Sequence, residues 1–94
     1  MSDEAIQDLD DISDYFLQTS VEAGEQFLIA FNARCQQLVS FPNLGRSYAH
    51  IRSDLRGLSV RGFIILYRVS GIDDLARIEI LRVVSGRRNL EALF

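Results

Sequence analysis

The hydrophobic period of this chain changes once, at Pro42, and that change restricts it to folds in which helices come first and strands follow. Before Pro42 apolar residues recur at helical steps. Ala5, Leu9, Ile12 and Phe16 stand four, three and four apart, with Ile6 beside them, while Asp3, Asp8, Asp10, Asp11 and Asp14 fill the rest of the circumference. The spacing predicts an amphipathic helix over about 2–18, with Ser2 as N-cap and Asp3 and Glu4 complementing the dipole of its first turn. Thr19-Ser20-Val21-Glu22 reads as a capping box opening a second helix, whose stripe Ala23, Phe27, Ala30, Phe31, Cys35 and Leu38 runs to about Ser40. Phe41 precedes Pro42 and is biased away from the α region, so the helix stops there. A connection this short makes an antiparallel helical hairpin over about 2–41.

After the loop Pro42-Asn43-Leu44-Gly45 the pattern is that of strands: Arg52 to Val60, a tight turn at Arg61-Gly62, Phe63 to Ser70, a turn at Gly71-Ile72-Asp73-Asp74, and Leu75 to Val84. Loops this short require antiparallel neighbours. On the last strand Ile78, Ile80, Arg82 and Val84 share one face, and Arg77, Glu79, Leu81 and Val83 the other. The expected fold is α+β: a helical hairpin packed on an antiparallel three-stranded sheet over about 52–84, with a helical or irregular tail over 85–94. Ninety-four residues, 48% hydrophobic, provide one core, so 1–94 is expected to be a single domain.

Charge is divided a little earlier, between residues 33 and 34. Residues 1–33 hold eight acids and no base, whereas 34–94 hold ten arginines against five acids, and the chain has no lysine. The acidic helical face is either a solvated surface or a docking face for a basic partner. No apolar run reaches the roughly 18 residues of a membrane helix, and no basic and apolar leader is visible, so a cytoplasmic setting is expected. Cys35 lies on the helical stripe as a core filler, and His50 is a loop residue without a nucleophilic companion; no metal or cofactor site is expected. Arg52, Arg56, Arg61, Arg68, Arg82, Arg87 and Arg88 lie on or beside the predicted sheet, where guanidinium groups suit bidentate recognition of phosphate or carboxylate. Spacing alone leaves three readings of them: nucleic-acid contact or metal-free RNA cleavage, docking to an acidic protein surface, and scattered solvated charge.

Five stretches in order carry a resemblance: Asp8-Leu9-Asp10-Asp11-Ile12-Ser13-Asp14-Tyr15, Leu38 to Gly45, Leu55-Arg56, Gly62 to Val69, and Ile80 to Leu90. Together they resemble the RelE/ParE toxin superfamily of bacterial toxin–antitoxin modules, and Tyr67-Arg68-Val69 and Arg82 to Leu90 are most similar to its ParE branch. The resemblance implies a helical hairpin on an antiparallel sheet, a toxin that binds and stalls DNA gyrase, a role in plasmid stabilisation, and a cognate antitoxin, ParD-like or another short one. It implies no cofactor and no direct nucleic-acid contact. The implied partner-binding residues are Arg56, Tyr67, Arg68, Arg82, Arg87, Arg88, Leu90, Leu93 and Phe94.

The RelE branch implies instead a ribosome-dependent mRNA endonuclease, whose remaining candidates here are Arg88, Arg82 and His50. Matched on Gly62 and Tyr67, the basic positions of that branch fall on Leu55, Gly57 and Ile64, and its terminal tyrosine on Phe94, which cannot carry a proton. A third implied reading is an inactive relative that retains only antitoxin binding. Ser85 stands where relatives carry histidine, and Asn89 where they carry aspartate. Relatives also have a strand before the motif that starts at Ser2; its absence would leave a sheet edge open to an antitoxin segment or a second copy, as a hetero-oligomer or homodimer.

Overall fold

The computed structural model describes residues 1–71 and 75–94. Helix α1 spans Asp3–Thr19 and α2 spans Val21–Ser40. Ser2 caps α1, its Oγ accepting from the Ala5 amide at 3.1 Å. The capping box expected at Thr19 does not form. The Thr19 hydroxyl donates back to the Tyr15 carbonyl and keeps Thr19 helical, so Ser20 alone separates the helices. Extended at φ −161°, Ser20 ends α1 through its amide on Phe16 and caps α2 by accepting from Ala23 at 3.2 Å. Glu22 keeps its place in the first turn of α2.

Among the described residues four strands follow, one more than expected: β1 Arg46–Ser47, β2 Arg56–Val60, β3 Phe63–Ser70 and β4 Arg77–Ser85, antiparallel in the order β1-β2-β3-β4. Strand β1 pairs only Arg46 with Gly57 and Ser47 with Arg56, too short for an alternating pattern. The strand expected from Arg52 starts at Arg56 because Arg52–Asp54 form a turn, with Asp54 at φ 68°. Arg61 and Gly62, at φ 44° and 84°, make the tight turn between β2 and β3; paired positive φ angles suit the strand twist and explain the glycine. The turn expected at Gly71–Asp74 falls at 72–74 outside the described residues.

A bulge decides how β4 faces its two layers. Leu66 pairs with Arg82 but Tyr67 with Ile80, so Leu81 is extra and the alternation resets. Val83, not Val84, therefore joins Ile78 and Ile80 beneath the helices, correcting the face expected from strict alternation. There Ala5, Ile12, Phe27, Phe31 and Leu38 meet Leu58, Val60, Ile65, Tyr67, Ile80 and Val83, and the Phe27 and Phe63 rings pack edge to face at 5.2 Å. Each fully buried large aliphatic or aromatic side chain here contributes about 1.5–3 kcal/mol. The opposite face buries Leu55, Leu66 and Val84 under Tyr48 and Ile51 of the 48–55 loop and under Leu90 and Leu93 of a short 3-10 helix, Leu90–Leu93.

The outer edge of β4 is closed from Ile80 to Val83 by the start of α1. The Ser2 amide donates to the Ile80 carbonyl at 2.9 Å, the Ser2 hydroxyl donates to the Leu81 carbonyl at 2.7 Å, and the Val83 amide donates to Asp8 Oδ2 at 2.9 Å. Backbone groups that an open edge would offer to another chain are thus satisfied internally over this span.

Candidate functional site

The arginines, tyrosine and tail that the sequence nominates are distributed over three settings. The first is a latch. Arg56 and Tyr67 are cross-strand partners, and both reach into the 42–45 loop. The Tyr67 hydroxyl donates to the Pro42 carbonyl at 2.8 Å and accepts from the Gly45 amide at 2.9 Å, while Arg56 Nη1 donates to the Gly45 carbonyl at 2.8 Å. A Cβ on residue 45 would lie 2.7 Å from the Tyr67 hydroxyl, so the latch needs glycine there. Tyr67, expected at a partner surface, is 0% exposed; its role is to fix the loop that joins the helical layer to the sheet.

The second setting is the join between layers. Arg82 Nε and Nη2 donate to the Asp8 carboxylate at 2.7 and 2.9 Å, in a bidentate pair at the bulge. The hydrogen bond to Asp8 holds the guanidinium above its ordinary pKa, against the opposing effect of burial. Asp8 also takes the Val83 amide, so one carboxylate ties α1 to two consecutive residues of β4. Nothing in the order of the acids singles out Asp8 from Asp10 or Asp11, because the bulge that brings Arg82 to it is set by pairing.

The third setting is the exposed sheet face with its tail. Arg68 pairs with Glu79 at 3.0 Å across β3 and β4, an exposed pair contributing about 0–1 kcal/mol. Leu90 and Leu93 turn inward onto Leu55, Leu66 and Val84, leaving Phe94 at the surface with the Arg52 guanidinium 5.5 Å from its ring centroid. Arg46 lies over the Tyr48 ring in the same way, and His50 is 6.0 Å from that ring in an exposed loop. Arg87 and Arg88 are exposed in the turn after β4; Arg87 also lines a groove of about 560 Å³ with Asp11, Tyr15, Phe63 and Ser85. Tyr48 and Ile51 were not among the expected site residues, and their only sequence signal is two apolar residues in a polar loop.

Among the described residues no three His, Cys, Asp or Glu side chains are grouped so as to hold a metal ion, and no helix is long and apolar enough to cross a membrane. A family model described as ParE toxin of type II toxin-antitoxin system, parDE, matches residues 1–90. The chain belongs to the ParE toxin family. Both helices, all four strands and the first residue of the 3-10 helix lie within the match, so the likeness to ParE toxins covers both layers. Toxin ParE3 of Caulobacter vibrioides is 43% identical over 56 residues, which is 60% of this chain and 52% of that protein. The chain thus spans about half the length of the curated relative it matches. The latch and the Asp8–Arg82 pair place Arg56, Tyr67 and Arg82 in the framework of this ParE-family chain, whereas Arg68, Arg87, Arg88 and Phe94 keep exposed surface.

Proposed function

We propose that this chain is a toxin that inhibits DNA gyrase by protein binding, acts in the cytoplasm and is neutralised by a cognate ParD-like or other short antitoxin. Membership of the ParE family supports the class. The observation that favours binding over RNA cleavage is what the candidate residues have left to offer. Arg82 has two donors committed to Asp8, and the tail ends in Phe94, whose ring is engaged by Arg52 and has no proton to give or take. What remains exposed is a guanidinium-rich surface with an aromatic end, the residue types that anchor protein interfaces. Arg87, Arg88 and Arg68 would meet acidic groups of the target or antitoxin, with Phe94 as the apolar anchor and Leu90 and Leu93 holding the tail in place.

The test is a supercoiling assay with purified gyrase and the purified chain, run beside total-RNA integrity in cells expressing it. Supercoiling should stop while RNA stays intact, and Arg87→Ala with Arg88→Ala should weaken inhibition without lowering the melting temperature. Normal supercoiling at saturating protein would overturn the proposal. Codon-phased cuts in transcripts would assign the ribosome as target, and harmless expression would assign an inactive relative.

A further inference from the structure

The acidic hairpin has a face that neither the sheet nor the proposed target surface uses. Between the second half of α1 and the first half of α2 lies an apolar groove of about 200 Å³, floored by Ile12, Phe16 and Phe27 and walled by Leu17, Val21 and Leu28. The walls are open to solvent, with Leu17 69%, Val21 56% and Leu28 47% exposed, and side chains of this kind on one patch mark an interaction surface. Gly24 lets the two helices approach, since a Cβ there would stand 2.9 Å from Phe16 Cβ. The volume is below the roughly 300–1,000 Å³ typical of small-molecule sites, which favours insertion of a few side chains from a docked polypeptide. A groove between antiparallel helices accepts a third helix whose apolar residues recur at i, i+3, i+4 and i+7.

Charge decides which helix. On α2, Val21, Glu25 and Leu28 follow one another at helical steps along one wall; on α1 the wall is Ser13 and Leu17, and Asp10 and Asp14 stand one helical step before them. Glu25 itself lines the groove, and residues 1–33 contain no base. Both flanks of a docked helix therefore meet carboxylates. We propose that this groove is a second docking site, separate from the arginine-bearing face, for a basic amphipathic helix of another protein: an apolar stripe inserted between Leu17 and Leu28, with Arg or Lys on both sides of it. An acidic segment would face like charge along both rims and be excluded.

The test uses two labelled 16-residue helical peptides with the same leucine stripe, one flanked by arginine and one by glutamate, titrated against the intact chain by fluorescence anisotropy. The arginine peptide should bind at least tenfold tighter, lose affinity as salt rises, and shift amide resonances of α1 and α2 around Phe16 and Gly24. Leu28→Glu separates docking from general attraction. It makes the chain more acidic, so non-specific attraction to a basic peptide would strengthen, whereas groove docking predicts at least tenfold weaker binding; Leu17→Glu serves as an independent repeat, and both sites are exposed enough to fold. Equal binding of the two peptides, unchanged or tighter binding to Leu28→Glu and Leu17→Glu, or resonance shifts confined to the sheet would overturn the proposal. So would dimerisation of the free chain abolished by Leu28→Glu, which would assign the groove to a second copy. Gyrase inhibition by the same preparations is read separately, so loss of one activity leaves the other site standing.

Discussion

Replacing Asp8 by alanine should do more damage than any other single acid-to-alanine change in α1. The carboxylate takes three donors, Arg82 Nε at 2.7 Å, Arg82 Nη2 at 2.9 Å and the Val83 amide at 2.9 Å, and its side chain is 11% exposed against 21% for Arg82. Hydrogen bonds to charged groups contribute about 1.5–3 kcal/mol each, and removing one partner of a fully buried ion pair costs about 3–5 kcal/mol. Here water can reach part of the stranded guanidinium, so Asp8→Ala should cost about 2–4 kcal/mol, the remainder being the Val83 amide left without its acceptor. For a domain of this size that lowers the melting temperature by roughly 8–30 °C. Urea unfolding followed by circular dichroism gives the cost directly, with Asp10→Ala as a solvated control expected within about 0.5 kcal/mol of the parent. Asp8→Asn should fall between, because an amide retains an acceptor but no charge. A double-mutant cycle with Arg82→Met isolates the pair, and coupling of about 1.5 kcal/mol or more is expected. A cost for Asp8→Ala under 1 kcal/mol, or coupling near zero, would mean that apolar packing alone holds α1 to β4.

Three further outcomes follow from local geometry. Tyr67→Phe keeps the buried ring but strands the Gly45 amide and the Pro42 carbonyl, so stability should fall by about 1–3 kcal/mol and the Gly45 amide should exchange faster with solvent. Arg61→Asn places a residue tolerant of left-handed backbone at φ 44° and should stabilise by about 0.5–1 kcal/mol in denaturant titration; a loss would show that Arg61 makes a compensating contact. Burial pushes the Cys35 thiol up from its ordinary 9.0, so stability is whole below that pH and declines as pH rises through the raised value of the folded state. Alkylation by iodoacetamide at pH 8 should accordingly be slower in the native chain than in the unfolded one, and equal rates would place the thiol in solvent.

The hairpin and the two long strands were legible because their signals are local. Ala5, Ile12, Phe27, Phe31 and Leu38 follow the helical period and are buried; Phe63–Ser70 matches its expected strand at both ends. What was illegible depends on pairing. The extra residue at Leu81 resets every side chain after it, and no propensity marks it in Ile80-Leu81-Arg82-Val83. The candidate residues divide on the same ground. Exposure of Arg87 and Arg88 follows from a polar turn after a strand, but Tyr67, which the resemblance implies is a partner-binding residue, becomes a buried latch only because the 42–45 loop returns over it. The resemblance implies that Leu90 and Leu93 bind a partner, yet the second sheet face needed covering, and the tail is the segment in reach.

The charge division has a physical meaning that neither net charge nor composition conveys. Eight acids on the hairpin, with Arg34 its single base, and nine arginines in the rest could cancel across the layer boundary, but among the described residues only Asp8 and Arg82 form an ion pair across it; the other ion pair, Arg68–Glu79, lies within the sheet. Most of the charge is therefore directed outward. A 94-residue chain that neutralised itself internally would have little field beyond its surface, whereas one with acidic and basic layers presents opposite potentials on opposite sides and can steer two partners of unlike charge to different faces. The two surfaces should consequently respond to salt independently: raising ionic strength weakens a basic helix on the Leu17–Leu28 groove and an acidic target on the Arg87–Arg88 face, but single substitutions on one face leave the salt slope of the other unchanged. A substitution such as Asp14→Asn that altered both slopes equally would show that net charge, and not the separation of layers, governs what this chain binds.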